Sequence, residues 1–183
     1  MRVISGSARG RKLLAPPGDS TRPTSDRAKE ALFNIINIQI RGKAVLDLFS
    51  GSGALGIEAL SRGATFCIFV EKNAVAADII RKNLTSSGFT DKSAVFVCNV
   101  YDFLKTCDKT FDFIFMDPPY GKNLIPPAIQ LIAEKKLLAG SGTIVAETES
   151  NEILPDDICK ISLSERRKYG KALLNFYKNS QFI

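Results

Sequence analysis

The chain has 183 residues, 45% hydrophobic and 24% charged, with a net charge of +6. That length suits one domain around one core. No apolar stretch reaches the ~20 residues of a bilayer-spanning helix. The opening Met1-Arg2-Val3-Ile4-Ser5-Gly6 carries no apolar export signal, so a cytoplasmic protein without a membrane partner is expected.

The absence of histidine removes Ser-His-Asp, Cys-His and histidine general-base mechanisms. The four cysteines (Cys67, Cys98, Cys107, Cys159) form no C-x-x-C pair. A zinc site is therefore not expected, and these thiols read as small buried hydrophobes in a reducing compartment. The positive charge sits at the two ends: +4 over residues 1–30 and +5 over 160–178, against −3 for the rest. A polyanion binder would show that distribution, and so would a solubilising surface.

In chain order, residues 1–23 read as a basic arm of their own, with residues 24–183 as the main domain. Arg2-Val3-Ile4 and Lys12-Leu13-Leu14 are β-like pieces joined by glycine and serine, which suggests a small hairpin. Arg9, Arg11, Lys12 and Arg22 suit phosphate contact; the alternative is a flexible basic tail. Thr24 or Ser25 can cap a helix that Asp26 favours electrostatically. Its buried face should hold Ala28, Ala31, Leu32, Ile35 and Ile36, with Arg27 and Lys29 at its start or outside.

The apolar run 44–49 reads as a buried strand feeding a glycine turn and a helix over 54–60. Gly51, Gly53 and Gly56 match G-x-G-x-x-G, where missing side chains let backbone N–H groups approach a ligand. Glu71 ends the next strand, 66–71, about twenty residues on, where an acid can accept both ribose hydroxyls. Asp47 would repel a pyrophosphate and suits a cation; S-adenosyl-L-methionine, with an ammonium and a sulfonium, is such a ligand. Residues 47–53, Asp-Leu-Phe-Ser-Gly-Ser-Gly and so including Phe49, resemble motif I of Rossmann-like methyltransferases.

Alternation then continues. A helix over 74–86 turns Val75, Ile79, Ile80 and Leu84 inward, followed by strand 94–98, helix 101–107 and strand 111–116. Helix 126–138 carries two prolines in its first turn, where they are tolerated. Strand 143–147 and a final pair, 158–163 and 172–177, complete the series. Strand–helix alternation implies a parallel sheet with helices on both faces.

Asp117-Pro118-Pro119-Tyr120 follows strand 111–116, at the carboxyl end where open α/β sheets bind ligands. The prolines restrict the loop, and Tyr120 offers a ring for stacking on a base. This tetrapeptide matches motif IV of methyltransferases that act on exocyclic amines. Asp117 and the Pro118 carbonyl can then hold the two N–H groups of such an amine. Asn99 is placed to accept from the cofactor's adenine amine, with Asp102 as competitor. Arg166-Arg167-Lys168-Tyr169-Gly170-Lys171 lies between the last two strands, either beside the substrate or as a solvated hairpin tip.

Residues 4–13 (Ile-Ser-Gly-x-x-x-Gly-Arg-x-Leu), 22–34 and the Lys-Tyr-Gly turn resemble the small-subunit ribosomal-RNA guanine-N2 methyltransferases of the RsmD type. The resemblance covers nearly the whole chain in the family's order. It implies a seven-stranded, mostly parallel class I methyltransferase sheet completed by an antiparallel C-terminal hairpin strand. It also implies S-adenosyl-L-methionine as cofactor and a guanine N2 in 16S rRNA as target. Asp117, Pro118 and Tyr120 would be catalytic, and Asp47, Phe49, Gly51, Gly53, Gly56, Glu71 and Asn99 would hold the cofactor. Arg9, Arg11, Lys12, Arg22, Arg27, Arg167, Lys168 and Tyr169 would meet RNA, in an assembled or partly assembled 30S subunit, with the enzyme a monomer. The alternatives are a DNA adenine-N6 or protein-glutamine methyltransferase, or a non-catalytic RNA-binding assembly factor on the same fold.

Overall fold

The structure is a computed structural model that describes residues 1–16, 26–36 and 38–182. Five strands run parallel: β1 (Ala44–Leu48), β2 (Phe66–Glu71), β3 (Ser93–Val97), β4 (Phe111–Met116) and β5 (Leu138–Glu149). Three more, β6 (Asp157–Ile158), β7 (Ile161–Tyr169) and β8 (Ala172–Asn179), pair antiparallel. Together they form one sheet in the order β3-β2-β1-β4-β5-β8-β7-β6. The order reverses between β1 and β4, so the loops leaving those strands diverge and open a crevice.

Among the described residues five α-helices cover the sheet: α1 (Asp26–Ile36), α2 (Ala54–Ser61), α3 (Ala74–Ser87), α4 (Val100–Thr106) and α5 (Ile125–Glu134). Side-chain alternation divides the strands between two cores. Val45, Phe69, Phe113, Phe115 and Val145 pack with α1, α2 and α3. Leu46, Leu48, Ile114, Met116 and Ile144 pack with α4 and α5. Because both faces are covered, the strands are apolar throughout, and each fully buried Val, Leu, Ile or Phe contributes about 1.5–3 kcal/mol. A charged group on such a strand is exceptional, and Asp47 is one.

The N-terminal segment packs onto the first core. An antiparallel bridge joins Arg2 to Lys12, and Val3 donates to the Arg11 carbonyl at 2.9 Å. Val3 and Leu13 are buried in the same core as α1 and α2. The buried Glu58 of α2 accepts from Ile4 N at 2.7 Å and Ser5 N at 3.0 Å. Its carboxylate also meets Lys29 Nζ at 3.5 Å and Arg62 Nε at 2.8 Å. Gly6 has φ +85°, and an added Cβ would lie 1.8 Å from the Ser61 carbonyl oxygen, so only glycine permits this approach.

Several expectations are corrected. The sheet has eight strands instead of seven, because the two-residue β6 adds a rung to β7. α5 stops at Glu134, and β5 begins at Leu138, five residues before its expected start, because Leu137 and Leu138 are buried and the Leu137 carbonyl accepts from Phe111 N. Lys29, expected at an outer face, is fully buried beside Glu58. Val75, expected inward, is 56% exposed in the first turn of α3, where Ala76 and Ala77 pack instead. Of the cysteines only Cys67 is buried, while Cys159 is exposed. The proposed caps Thr24 and Ser25 lie outside the described residues. Among the described residues no helix is long and apolar enough to cross a membrane.

Candidate active site

The glycine loop begins as β1 ends. Phe49 takes φ 59°, a left-handed conformation that costs a non-glycine residue roughly 1–2 kcal/mol. Gly51 and Gly53 follow at φ 56° and 78°, without that cost. Gly53 offers no side-chain cap to α2. Asp47, 2% exposed, fills the role from the strand: its Oδ2 accepts from Gly56 N at 2.9 Å. At Gly56 an added Cβ would lie 2.3 Å from the Phe69 ring and 2.6 Å from Cys67 Sγ. Its absence lets α2 close on β2. Ser50, which the motif reading passed over, locks the loop by donating to the Asp47 carbonyl at 2.6 Å and accepting from Val70 N at 3.0 Å.

Glu71 and Asn99 each have local partners. Glu71 Oε2 accepts from Gly51 N at 2.9 Å and Oε1 from Asn73 N at 2.8 Å. Each carboxylate oxygen has a further lone pair, so ribose hydroxyls remain within its capacity. Asn99 caps α4, its Oδ1 accepting from Tyr101 N at 2.9 Å. Asp102 sits exposed in the first turn of the same helix.

Asp117 and Tyr120 follow β4, and both come against β5. Register pairs Asp47 with Phe115, Phe115 with Val145 and Met116 with Ala146, so Glu147 falls one step beyond, level with Asp117. Tyr120 donates its hydroxyl proton to Glu147 Oε1 at 3.0 Å. Glu147 is 5% exposed, and its pKa is pushed up to about 8 by burial first and the Asp117 charge second, with the Tyr120 hydrogen bond pulling the other way. Asp47 is also raised well above the usual carboxylate range, chiefly by burial, against the Gly56 hydrogen bond and helped by Asp117 and Glu71. Four acids thus converge at the carboxyl ends of β1, β2, β4 and β5. Sequence reading missed Glu147, whose only signal was an acid closing the apolar run 143–147.

Among the described residues no lysine or arginine pairs with Asp47, Glu71 or Glu147. The cleft calls for a cation and repels phosphate. These acceptors are compatible in charge with the ammonium and sulfonium of S-adenosyl-L-methionine.

The basic residues fall into two groups. Arg9, Arg11 and Lys12 are exposed, and with Lys82 and Ser86 of α3 they line a concave surface of about 650 Å³. Arg167, Lys168 and Tyr169 lie on the β7–β8 hairpin, whose tip pairs with the carboxyl end of β5 through Glu149 and Ala172. Arg167 Nε donates to Glu165 at 2.5 Å, and Lys168 is exposed. Arg22 lies outside the described residues, as does the side chain of Arg27.

A mostly parallel sheet ending in an antiparallel strand, with a glycine loop after β1 and Asp-Pro-Pro-Tyr after β4, defines a Rossmann-like class I methyltransferase. The family model described as "Conserved hypothetical protein 95" matches residues 1–178. Ribosomal RNA small subunit methyltransferase D of Haemophilus influenzae is 40% identical over 84% of this chain and 81% of its own. The Escherichia coli protein of that name is 34% identical, covering 97% and 89%. The solved structure of Escherichia coli yhhF superposes with a TM-score of 0.87 at 34% identity, covering 98% and 97% of the two chains. A Thermus thermophilus structure gives 0.83 at 31%, covering 97% and 99%. The chain belongs to the ribosomal RNA small subunit methyltransferase D family and is an enzyme of the methyltransferase class.

Proposed function

We propose that the protein transfers a methyl group from S-adenosyl-L-methionine to the exocyclic N2 amine of a guanine in small-subunit (16S) rRNA. The observation that carries this reading is the placement of Asp117-Pro118-Pro119-Tyr120 beside the acidic crevice at the β1/β4 switch point. The names of the relatives support ribosomal RNA as the substrate.

An exocyclic amine is a poor nucleophile because its lone pair is delocalised into the ring. Asp117 and the Pro118 carbonyl are two acceptors for its two N–H groups, which favours a lone pair directed away from them. Tyr120 supports the base by stacking, with its hydroxyl held by Glu147. The cofactor supplies a methyl activated by positive charge on sulfur. Asp47 balances that end of the cofactor, Glu71 the ribose, and Phe49, Gly51, Gly53 and Gly56 shape the loop against it. Asn99 Oδ1 caps α4 with one lone pair and keeps a second for the adenine amine, with the exposed Asp102 of the same turn as competitor. The amine proton leaves to Asp117 or water, and positioning and electrostatics carry the rate.

A base inside a helix cannot reach such a crevice, so the guanine is flipped out or single-stranded. Arg9, Arg11, Lys12, Arg22 and Arg27 near the N-terminus, and Arg167, Lys168 and Tyr169 on the hairpin, meet the RNA. The enzyme acts as a cytoplasmic monomer on an assembled or partly assembled 30S subunit.

The test is methyl transfer from labelled S-adenosyl-L-methionine to unmethylated small subunits, naked rRNA and unmethylated DNA, followed by digestion to nucleosides. Label in N2-methylguanosine from the ribosomal samples is expected, strongest from assembled subunits. Label in N6-methyladenine, or binding of cofactor without transfer, would overturn the reading.

A further inference from the structure

Beyond holding the Tyr120 hydroxyl, Glu147 lies level with Asp117 and is buried beside it. One of its oxygens is occupied by the Tyr120 hydroxyl at 3.0 Å. Among the described residues nothing donates to the other, Oε2, and the one sealed polar side-chain atom without a partner is Ser87 Oγ. Among the described residues Glu147 Oε2 is therefore neither sealed nor hydrogen-bonded. Alternation along β5 places Glu147 on the same face as Val145, whose pairing partner Phe115 is also the partner of Asp47.

We propose that Glu147 determines the choice of base by accepting the N1–H of the target guanine through Oε2. This rests on the guanine-N2 reading above and extends it. On the Watson–Crick edge of guanine, N1–H and the N2 amine are neighbouring donors. A carboxylate is an acceptor only, and two carboxylates side by side match two neighbouring donors. Adenine presents an unprotonated N1 at the equivalent place, so with Glu147 ionised its lone pair faces a negative oxygen. A site built around a hydrogen bond to a substrate N–H rejects analogues that lack it, because its buried acceptor is left unpaired. Burial keeps Glu147 reluctant to ionise in the empty cleft, and an N–H donor from the base compensates that cost.

2-Aminopurine separates this role from Asp117's. It keeps the N2 amine but has an unprotonated N1. Small-subunit rRNA would be ligated to carry guanine or 2-aminopurine at the nucleotide the wild type labels, and reconstituted into subunits. The wild-type enzyme should favour guanine by about 10- to 100-fold in kcat/KM. Glu147→Gln keeps a carbonyl for Tyr120 and turns an N–H donor toward N1. It should lower the rate on guanine by a similar factor and bring the preference close to unity. Unchanged affinity for S-adenosylmethionine and an undiminished Tm would show that the variant is folded with its cofactor site intact.

An unchanged preference in Glu147→Gln, or an equal loss on both bases, overturns the inference and leaves N2 methylation standing. A wild type that forms no N2-methylguanosine overturns the functional reading itself, and the inference with it.

Discussion

Asp47 Oδ2 accepts a hydrogen bond from Gly56 N at 2.9 Å, so the acid at the end of β1 caps the helix that follows. Its place in the sequence motif points to a cationic cofactor. The structure adds a second task, which explains how a 2% exposed carboxylate is retained: it answers a backbone donor of the first turn of α2.

The two tasks separate in Asp47→Asn, which keeps an oxygen for Gly56 N and loses the charge. Burial raises the folded pKa of Asp47 well above its unfolded value. Its contribution to stability is therefore full below the unfolded pKa, about 3.9, and is lost as pH rises toward the folded value. The asparagine variant should match or exceed the wild-type Tm at pH 8 while binding S-adenosylmethionine at least ~10-fold more weakly. Calorimetric unfolding and titration on one preparation decide it; unchanged affinity would remove Asp47 from the cofactor site.

Glu147 makes a sharper case, because its folded pKa is about 8 against an ordinary 4.5. The native state holds the extra proton between those values, so stability falls as pH rises through that window. Glu147→Gln should gain on the wild type in Tm from pH 5 to 8 and hold a constant lead beyond, worth up to a few kcal/mol. A pH-independent difference would mean that the carboxyl ionises normally.

Asp117→Ala removes an acceptor from the amine without touching the glycine loop. Methyl transfer should drop by at least ~100-fold, with cofactor affinity weakened by less than ~3-fold. Full activity would dismiss Asp117 from the chemistry.

Glu58→Ala takes away the carboxylate shared by Lys29, Arg62 and the backbone of Ile4 and Ser5. Loss of one partner from a buried ion pair costs about 3–5 kcal/mol. Denaturant unfolding should register that loss, and hydrogen exchange should rise first in residues 1–13. Protection there equal to wild type would show that burial of Val3 and Leu13 holds the segment unaided.

Arg11→Ala with Lys12→Ala tests the concave basic surface. Every phosphate that the protein ceases to neutralise lowers the salt dependence of binding to single-stranded RNA by about 0.7 in the log–log slope. A drop near 1.4 is expected for the pair by the same principle, and an unchanged slope would place the RNA elsewhere.

The central alternation of strand and helix, the glycine loop, Glu71 and Asp-Pro-Pro-Tyr were all legible in the chain, because each depends on short-range rules. Apolar periodicity marks elements, glycine marks left-handed turns, and paired prolines mark a restricted loop. Nearly continuous apolar strands such as 111–116 announce burial on both faces wherever they sit. Lys29, Glu58 and Glu147 were not legible. A lysine on a helix reads as exposed, and an acid at a strand end reads as solvated, until the partner is known. Lys29 is buried because the chain brings Glu58 of α2 beneath α1, 29 residues later in sequence. Glu147 lies beside Asp117, 30 residues apart in sequence, because β4 and β5 pair in parallel with Met116 level with Ala146. Local pattern carries the elements and motifs; the register between distant strands decides which charges meet, since an ion pair or a perturbed carboxylate depends on a few ångströms of separation and on the water excluded around it.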